Sequence, residues 1–167
     1  MVFNNAVSFV HDKIPVSAVS LLTQEEYTPN GLTALYDAIG ETLERLRSRC
    51  LYARKRNIPN KTLVFIMTDG KENASRRFDG KTIKTMIENK KEAGWEFVFL
   101  AANIDAEETA RDIGISEDRA IGWHADRAGL RSVGIGINRC MESVVTETIF
   151  ARADFAEVDE DFQKRTK

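Results

Sequence analysis

The chain has 167 residues, of which 43% are hydrophobic and 30% charged, enough for one domain with a two- or three-layer core. The net charge of −2 gives no reason to expect a nucleic-acid partner, because proteins that bind nucleic acid are usually distinctly basic. No apolar run approaches the ~20 residues that a membrane span requires. The first residues, "MVFNNAVSFV", lack the basic start and long apolar core of a signal peptide. These features predict a cytoplasmic protein that is not inserted in a membrane.

The N-terminal third has the pattern of short strands followed by a long helix. The stretch "MVFNNAVSFVHDKIP" looks like the end of one strand and a following strand. From Thr33 to Arg56, apolar residues recur every three or four positions and predict a helix. Its end carries six positive charges between Arg45 and Arg56, and a solvated helix end is favoured because the helix dipole attracts cations there. The apolar stripe consists of Leu35, Ile39, Leu43, Leu46 and Cys50.

Two apolar runs in the middle of the chain have strand character. They are "LVFIMT" (63–68) and "WEFVFLAA" (95–102). Each is short and rich in β-branched or aromatic residues, which is typical of strands buried on both faces of a parallel sheet. Between them, "DGKTIKTMIENKKEAG" predicts a helix that ends at Gly94.

The remaining elements continue the alternation of helix and strand. "AEETARDIGI" predicts a short helix and "RAIGW" (119–123) a brief edge strand. From Asp126 a further helix is predicted, although three glycines weaken that prediction. Its apolar stripe consists of Leu130, Val133, Ile137, Met141, Val144 and Thr148.

This order of elements predicts an α/β fold with a doubly wound, mostly parallel sheet and helices on both faces. We assign residues 1–150 to one domain and residues 151–167 to a charged C-terminal tail. Chain ends of this kind are often frayed, so we expect the tail to be loosely docked.

Few side chains outside the strand ends suggest chemistry. Cys50 and Cys140 lie on the apolar sides of helical patterns without a C-x-x-C spacing, which favours buried, reduced thiols over a disulfide or a metal site. His124 and Asp126 are compatible with a pair of ligands, but a surface turn capped by Asp126 is favoured.

The end of the first apolar run, in "KTLVFIMTDGKEN", leaves the carboxylate of Asp69 at a strand tip. Ligands of open α/β sheets bind beyond the carboxyl ends of the strands. A catalytic constellation does not assemble there: the sequence has no G-x-S-x-G elbow and no glycine-rich phosphate loop that opens a helix. An enzyme that acts on a phosphorylated small molecule through Asp69 and Lys71 is therefore only the third interpretation.

A metal site is the alternative use of Asp69. A hard cation such as Mg²⁺ requires several oxygen ligands, and one aspartate cannot hold it. A second oxygen is available in "TPNGLTALYDAIG", where a turn precedes the hydroxyl of Thr33 at a helix start. The same hydroxyl also suits a simple helix cap, so both roles of Thr33 stay open at this point.

Together, "NGLTALYDAI" and "LVFIMTDGKEN" resemble the von Willebrand factor A domain family in its bacterial and phage form. The resemblance runs from Val2 to about Phe150, and it is specific in these two blocks and loose elsewhere. It implies a doubly wound α/β sheet without catalytic activity. Members of the family bind protein partners through a divalent cation, and an acidic side chain of the partner commonly completes the coordination.

Carried over to this sequence, the resemblance implies that Thr33 and Asp69 are metal ligands for Mg²⁺ or Mn²⁺, Asp69 often through a water molecule. The family's D-x-S-x-S ligands and the first strand that bears them are absent, so the domain is expected to be N-terminally incomplete. The cation is then expected only in a longer form of the protein or with ligands from another segment. Weaker contacts to the partner are assigned to Asn30, Gly31, Gly70 and Asn73.

Three functions follow, in order of preference. The first is a non-enzymatic protein-binding module of adhesion or scaffold type, with a strand-tip metal site that is incomplete in this chain. The second is a metal-free structural or assembly protein that forms homo-oligomers through exposed sheet edges. The third is the phosphate-handling enzyme. A nucleic-acid or membrane partner is not expected.

Overall fold

A computed structural model describes residues 1–20, 23, 25–26, 31–52, 54, 59–146 and 152–166. The fold is α/β, with a three-stranded parallel sheet flanked by helices, as the alternation of elements predicts. The chain divides into two units. The first comprises Met1–Ile58 and Lys71–Ile83, and the second comprises Pro59–Gly70 and Lys84–Lys167. Within the described ranges, no helix is both long and apolar enough to cross a membrane.

The parallel sheet belongs to the second unit. Its strands are β3 (Thr62–Thr68), β4 (Trp95–Ala102) and β5 (Ala120–Trp123), in the order β3-β4-β5. Parallel neighbours need a crossover connection, and helices α2 (Gly80–Glu92) and α3 (Ala106–Asp112) provide the two crossovers. The predicted strands are therefore confirmed within a residue of their bounds.

The core of the second unit is built on β4, the central strand. Its residues from Phe97 to Ala102 are all buried, and since successive side chains alternate between faces, both faces of the strand are covered. One face packs against helices α4 (Arg127–Val145) and α5 (Ala156–Arg165). The buried residues on that side are Val98, Leu100, Ala102, Ile121, Trp123, Val133, Cys140, Phe155 and Val158.

The apolar stripe predicted for α4 is confirmed at Val133, which is buried, and at Ile137, which packs against the core, but it is wrong at two other positions. Thr148 of that stripe lies outside the described residues. Leu130 and Met141, two of its predicted members, are exposed, whereas Gly129 and Gly136 are buried. A Cβ at Gly136 would collide with the ring of Phe155, so this glycine lets the ring approach the helix backbone. Two of the three glycines that weaken the helix prediction thus lie on the packing face of the helix, and the third, Gly134, is exposed.

The C-terminal tail is not loosely docked where the structure describes it. A 3-10 turn, Arg152–Phe155, leads into α5, and the side chains of Phe155 and Val158 are buried. Arg152 holds the turn to the helix, because its guanidinium lies 2.9 Å from a carboxylate oxygen of Asp159. Residues 152–166 therefore contribute to the core of the second unit, which their acidic composition did not indicate.

The first unit consists mainly of helix α1 (Leu35–Tyr52) and a small hairpin of strands β1 (Val2–Phe3) and β2 (Val7–Ser8), which pair antiparallel and pack against α1. Arg45 and Arg49 both pair with Asp12, and the hydrogen bond from Arg45 is the main reason that the pKa of Asp12 is lowered. Part of the basic helix end is thus neutralised within the unit. Residues 53 and 55–58 of that stretch lie outside the described residues.

Candidate functional site

The segment 71–79 is bound to the start of α1, and Asn73 begins this connection. The backbone N–H of Asn73 donates to the carbonyl oxygen of Thr33 at 3.0 Å, and the N–H of Thr33 donates to Oδ1 of Asn73 at 2.7 Å. This reciprocal pair joins two residues that are 40 positions apart in sequence. It fixes the backbone on both sides of the contact.

Asp37 anchors the second half of the segment. Its carboxylate accepts hydrogen bonds from the backbone N–H groups of Arg76 (2.9 Å), Arg77 (2.9 Å) and Phe78 (3.0 Å). Burial of the carboxyl opposes its charged form, but these three bonds outweigh burial and lower the pKa of Asp37 below its ordinary value. Asp37 is thus an ionised structural anchor for the backbone of residues 76–78.

Glu72 and Ser75, which lie far from α1 in the sequence, cap its amino end. The first N–H groups of a helix have no partner within the helix. Here the N–H of Tyr36 donates to Glu72 at 2.8 Å, and the N–H of Asp37 donates to Oγ of Ser75 at 2.9 Å. The hydroxyl of Ser75 in turn donates to Glu72 at 2.7 Å. Because these amides are already paired, they are not available for a phosphate group.

Thr33 does not cap α1 with its side chain. The helix begins at Leu35, so the residue before it is Ala34, whose carbonyl oxygen accepts from the N–H of Ala38 at 3.0 Å. Among the residues that the structure describes, the Thr33 hydroxyl has no hydrogen-bond partner. It is half-buried, and the capping network does not use it.

Gly31 is required by its turn. Its φ angle is +88°, and a Cβ there would collide with the side chain of Asn5, which accepts a hydrogen bond from the N–H of Leu32. The N–H of Ala34 also donates to the carbonyl oxygen of Asn4 at 2.8 Å. The β1-β2 hairpin therefore braces the loop that carries Thr33.

The strand tip in the second unit is a local turn. Thr68 is buried, and its hydroxyl donates to the carbonyl oxygen of Gly70 at 2.9 Å. Asp69 between them is exposed. The turn thus uses the hydroxyl of Thr68 and leaves the carboxylate of Asp69 in contact with solvent.

The predicted site residues fall into both units. Thr33, Gly31 and Asn73 belong to one braced loop region of the first unit, whereas Asp69 and Gly70 belong to the second. Asn30 lies outside the described residues. Within the described part of the chain, no three or more His, Cys, Asp or Glu side chains form a group that could hold a metal ion. The capping roles of Glu72 and Ser75 had no sequence signal, because their partners are more than thirty positions away.

His124 and Asp126 serve the packing of α4 and α5. Asp126 caps α4 by accepting from the N–H of Gly129 at 2.9 Å, which confirms the predicted cap. It also pairs with Arg165 of α5, and this bond is the main cause that lowers the pKa of Asp126 to about 2. His124 is half-buried rather than fully on the surface, with its ring centroid 5.0 Å from that of Phe162.

A cleft of about 260 Å³ lies at the amino ends of β4 and β5, the opposite end of the sheet from Asp69. Arg119 lies 3.5 Å from carboxylate oxygens of both Glu96 and Asp118, and Lys91 and Trp95 complete the nearby wall. Opposite charges pair across this lining, so it has no net charge that would select a ligand.

Comparison with known proteins gives no family for this chain: no family model, no curated protein and no solved structure matches it.

Proposed function

We propose that this chain is a non-enzymatic protein-binding module of the von Willebrand factor A type. Its proposed binding surface is the braced loop, which we define as residues 31–33 and 71–75. The resemblance of "NGLTALYDAI" and "LVFIMTDGKEN" to that family supports the type of module. We also propose a cytoplasmic location, which suits the two free cysteines, since reducing compartments keep thiols reduced.

The commitment of the polar side chains to the backbone is the observation that carries this proposal. Asp37, Glu72, Asn73 and Ser75 all hold main-chain groups in place. A general acid or base needs a group that is free to exchange a proton with a substrate, and these side chains are already engaged. A loop fixed before binding loses little conformational entropy when a partner arrives, which favours association. The arrangement suits recognition better than catalysis.

The residues present do not by themselves fit a resident Mg²⁺ or Mn²⁺ ion. Mg²⁺ takes near-octahedral oxygen coordination, whereas the resemblance assigns only Thr33 and Asp69 as protein ligands. The carboxylates nearest to Thr33 along the network, Asp37 and Glu72, are occupied by backbone N–H groups. A cation in this module would need further oxygens from another segment or from an acidic side chain of the partner. The proposed binding therefore does not depend on a resident cation.

Photo-crosslinking tests the proposal. A photoreactive amino acid replaces Leu32 or Lys71 in the braced loop, and Leu130 of α4 serves as the control. Leu32 and Leu130 are matched, with 51% and 55% of their surface exposed. In an extract of the source organism we expect a discrete adduct from the two loop positions, competed by unmodified protein, and none from Leu130. Absence of loop adducts, or the same adducts from all three positions, would contradict the proposal.

The role of a cation is read from the same experiment. Each crosslinking reaction is repeated in EDTA and then with Mg²⁺ or Mn²⁺ restored. Loss of the adduct in EDTA with recovery on addition of the ion would mean that the partner supplies the missing oxygen ligands. An unchanged adduct would mean that the module binds without metal.

A further inference from the structure

Strand β3 has an open edge. In the described chain it pairs with β4 on one side, and no strand pairs with it on the other. Such an edge presents a row of backbone N–H and C=O groups that can pair with another strand. Natural edge strands are usually protected by charged residues, proline or a very short length. The seven residues of β3, TLVFIMT, contain no charge and no proline.

The side chains of β3 are less buried than those of the central strand. Residues 62–65 and Met67 are half-buried and Ile66 and Thr68 are buried, whereas β4 is fully buried from Phe97 onward. Leu63, Phe65 and Met67 touch the core of the second unit with only part of their surface. Residues 62–65 of this uncharged, apolar edge therefore keep part of their surface exposed.

The residues that flank β3 carry opposite charges. Lys61 precedes the strand and Asp69 follows it; both are exposed, and neither forms an ion pair with any residue that the structure describes. If two copies of β3 pair antiparallel about Phe65, Lys61 of each copy lies opposite Asp69 of the other. In an in-register parallel pair, each charge would instead lie opposite its own kind. Opposite charges across a strand pair stabilise it and like charges destabilise it, so the edge is self-complementary only in the antiparallel sense.

We propose that β3 is a homodimerisation edge, at which two copies of this chain pair antiparallel about a two-fold axis at Phe65. The pairing joins the two three-stranded sheets into one continuous sheet. Leu63 of each copy lies opposite Met67 of the other, so the apolar side chains also match. A two-fold contact of this kind is closed, because each edge is used up by the other.

This inference goes beyond the proposed function, since it requires neither a cation nor a second kind of protein. Asp69 has a place in both, as an implied metal ligand and as an end of the strand pair. The dimer is therefore measured in EDTA, where only the strand pairing can depend on Asp69. Loss of one proposal then leaves the other intact.

A charge-swap series tests the dimer. The full chain, Lys61→Asp, Asp69→Lys and the double variant with both changes are compared by sedimentation velocity across a concentration series in EDTA at low salt. Each single change places like charges at both ends of the pair and should weaken association about tenfold or more. The double variant restores opposite charges and should recover the dimer. Arg131→Asp, an exposed charge change on α4, should leave association unchanged.

Hydrogen exchange gives an independent readout. On dimerisation, backbone amides in residues 62–68 should gain protection with rising protein concentration, whereas those of residues 99–101 in β4, already paired on both sides, should not change. A wild-type monomer at every concentration would overturn the proposal. A dimer that the single changes do not weaken, or that the double variant does not recover, would overturn it too, as would thioflavin-binding fibres in place of a closed dimer.

Discussion

Each of the two units of the molecule is stabilised internally by a different kind of interaction. In the first, the side chains of Asp37, Glu72 and Ser75 bond backbone groups far away in sequence. In the second, apolar side chains from the sheet, α4 and α5 pack around Phe155. Hydrogen bonds are directional, so losing one acceptor affects the few groups that it held. Apolar packing is shared among many contacts, so removing a large ring affects the whole unit.

The largest effect on stability is expected in the second unit, whose core is apolar. Phe155→Ala removes a fully buried ring and leaves a cavity beside Gly136, which should cost about 3–5 kcal/mol of unfolding free energy. Urea unfolding followed by circular dichroism measures this. Leu130→Ala, on the exposed side of α4, is the control and should change stability by about 0.5 kcal/mol or less. A loss for Phe155→Ala no larger than the control would refute the assignment of the tail to the core.

In the first unit, the loss of one hydrogen-bond acceptor should have a more local effect. Asp37→Ala leaves three backbone donors without their acceptor, and we expect a loss of about 1–3 kcal/mol. Amide exchange should accelerate in residues 71–79 and stay unchanged in β4. Glu44→Ala, which removes an exposed partner of Arg77, should cost about 0–1 kcal/mol. Uniform acceleration across both units would show that the two are not distinct in this respect.

Two glycines of α4, in the second unit, allow a buried position to be compared with an exposed one. Gly136→Ala adds a methyl group against Phe155 and should destabilise by about 1–2 kcal/mol. Gly134→Ala meets open space and should stabilise by up to about 1 kcal/mol, because alanine favours the helix. Thermal unfolding of both variants reads out the difference. The same sign of change for both would mean that Phe155 does not pack on this helix face.

The stability of the contact between α4 and α5 is expected to depend on pH. The pKa of Asp126 is lowered from 3.8 to about 2, chiefly by the hydrogen bond from Arg165. A carboxyl whose pKa is lower in the folded protein stabilises it fully above its unfolded pKa, and that stability is lost as the pH falls toward the folded pKa. The contribution should therefore disappear between about pH 4 and pH 2. Acid unfolding of Asp126→Asn, followed by circular dichroism, should lack this component; curves parallel to wild type would argue against the pairing.

The contrast between the units also explains which features the sequence predicts. Strands such as Trp95–Ala102 were predictable because burial on both faces produces a continuous apolar run. The buried face of α4 was predictable only in part, at Val133 and Ile137, because glycine has no hydrophobic side chain and yet occupies two positions of the packing side. Periodicity finds large apolar residues and overlooks positions where a neighbour fills the space.

The candidate site was predictable only in part. The strand tip at Asp69 and the turn at Gly31 follow from local patterns of apolar residues, turn residues and glycine. The capping of α1 by Glu72 and Ser75 does not, since it depends on two segments meeting in the folded chain. Hydrogen bonds between segments that are far apart in sequence produce no periodic pattern of residues. The residues that brace the loop are therefore identified only from the structure.

The environment of Trp123 has an optical consequence. Its indole is only 7% exposed, and within the described residues its Nε1 has no hydrogen-bond partner. An indole shielded from water emits at shorter wavelength than a hydrated one. Trp95 is the other tryptophan of the chain, so Trp95→Phe leaves a single tryptophan emitter that belongs to the same buried cluster as Phe155 and Val158. The emission maximum of that variant would then report, in real time, when the C-terminal helix leaves the sheet.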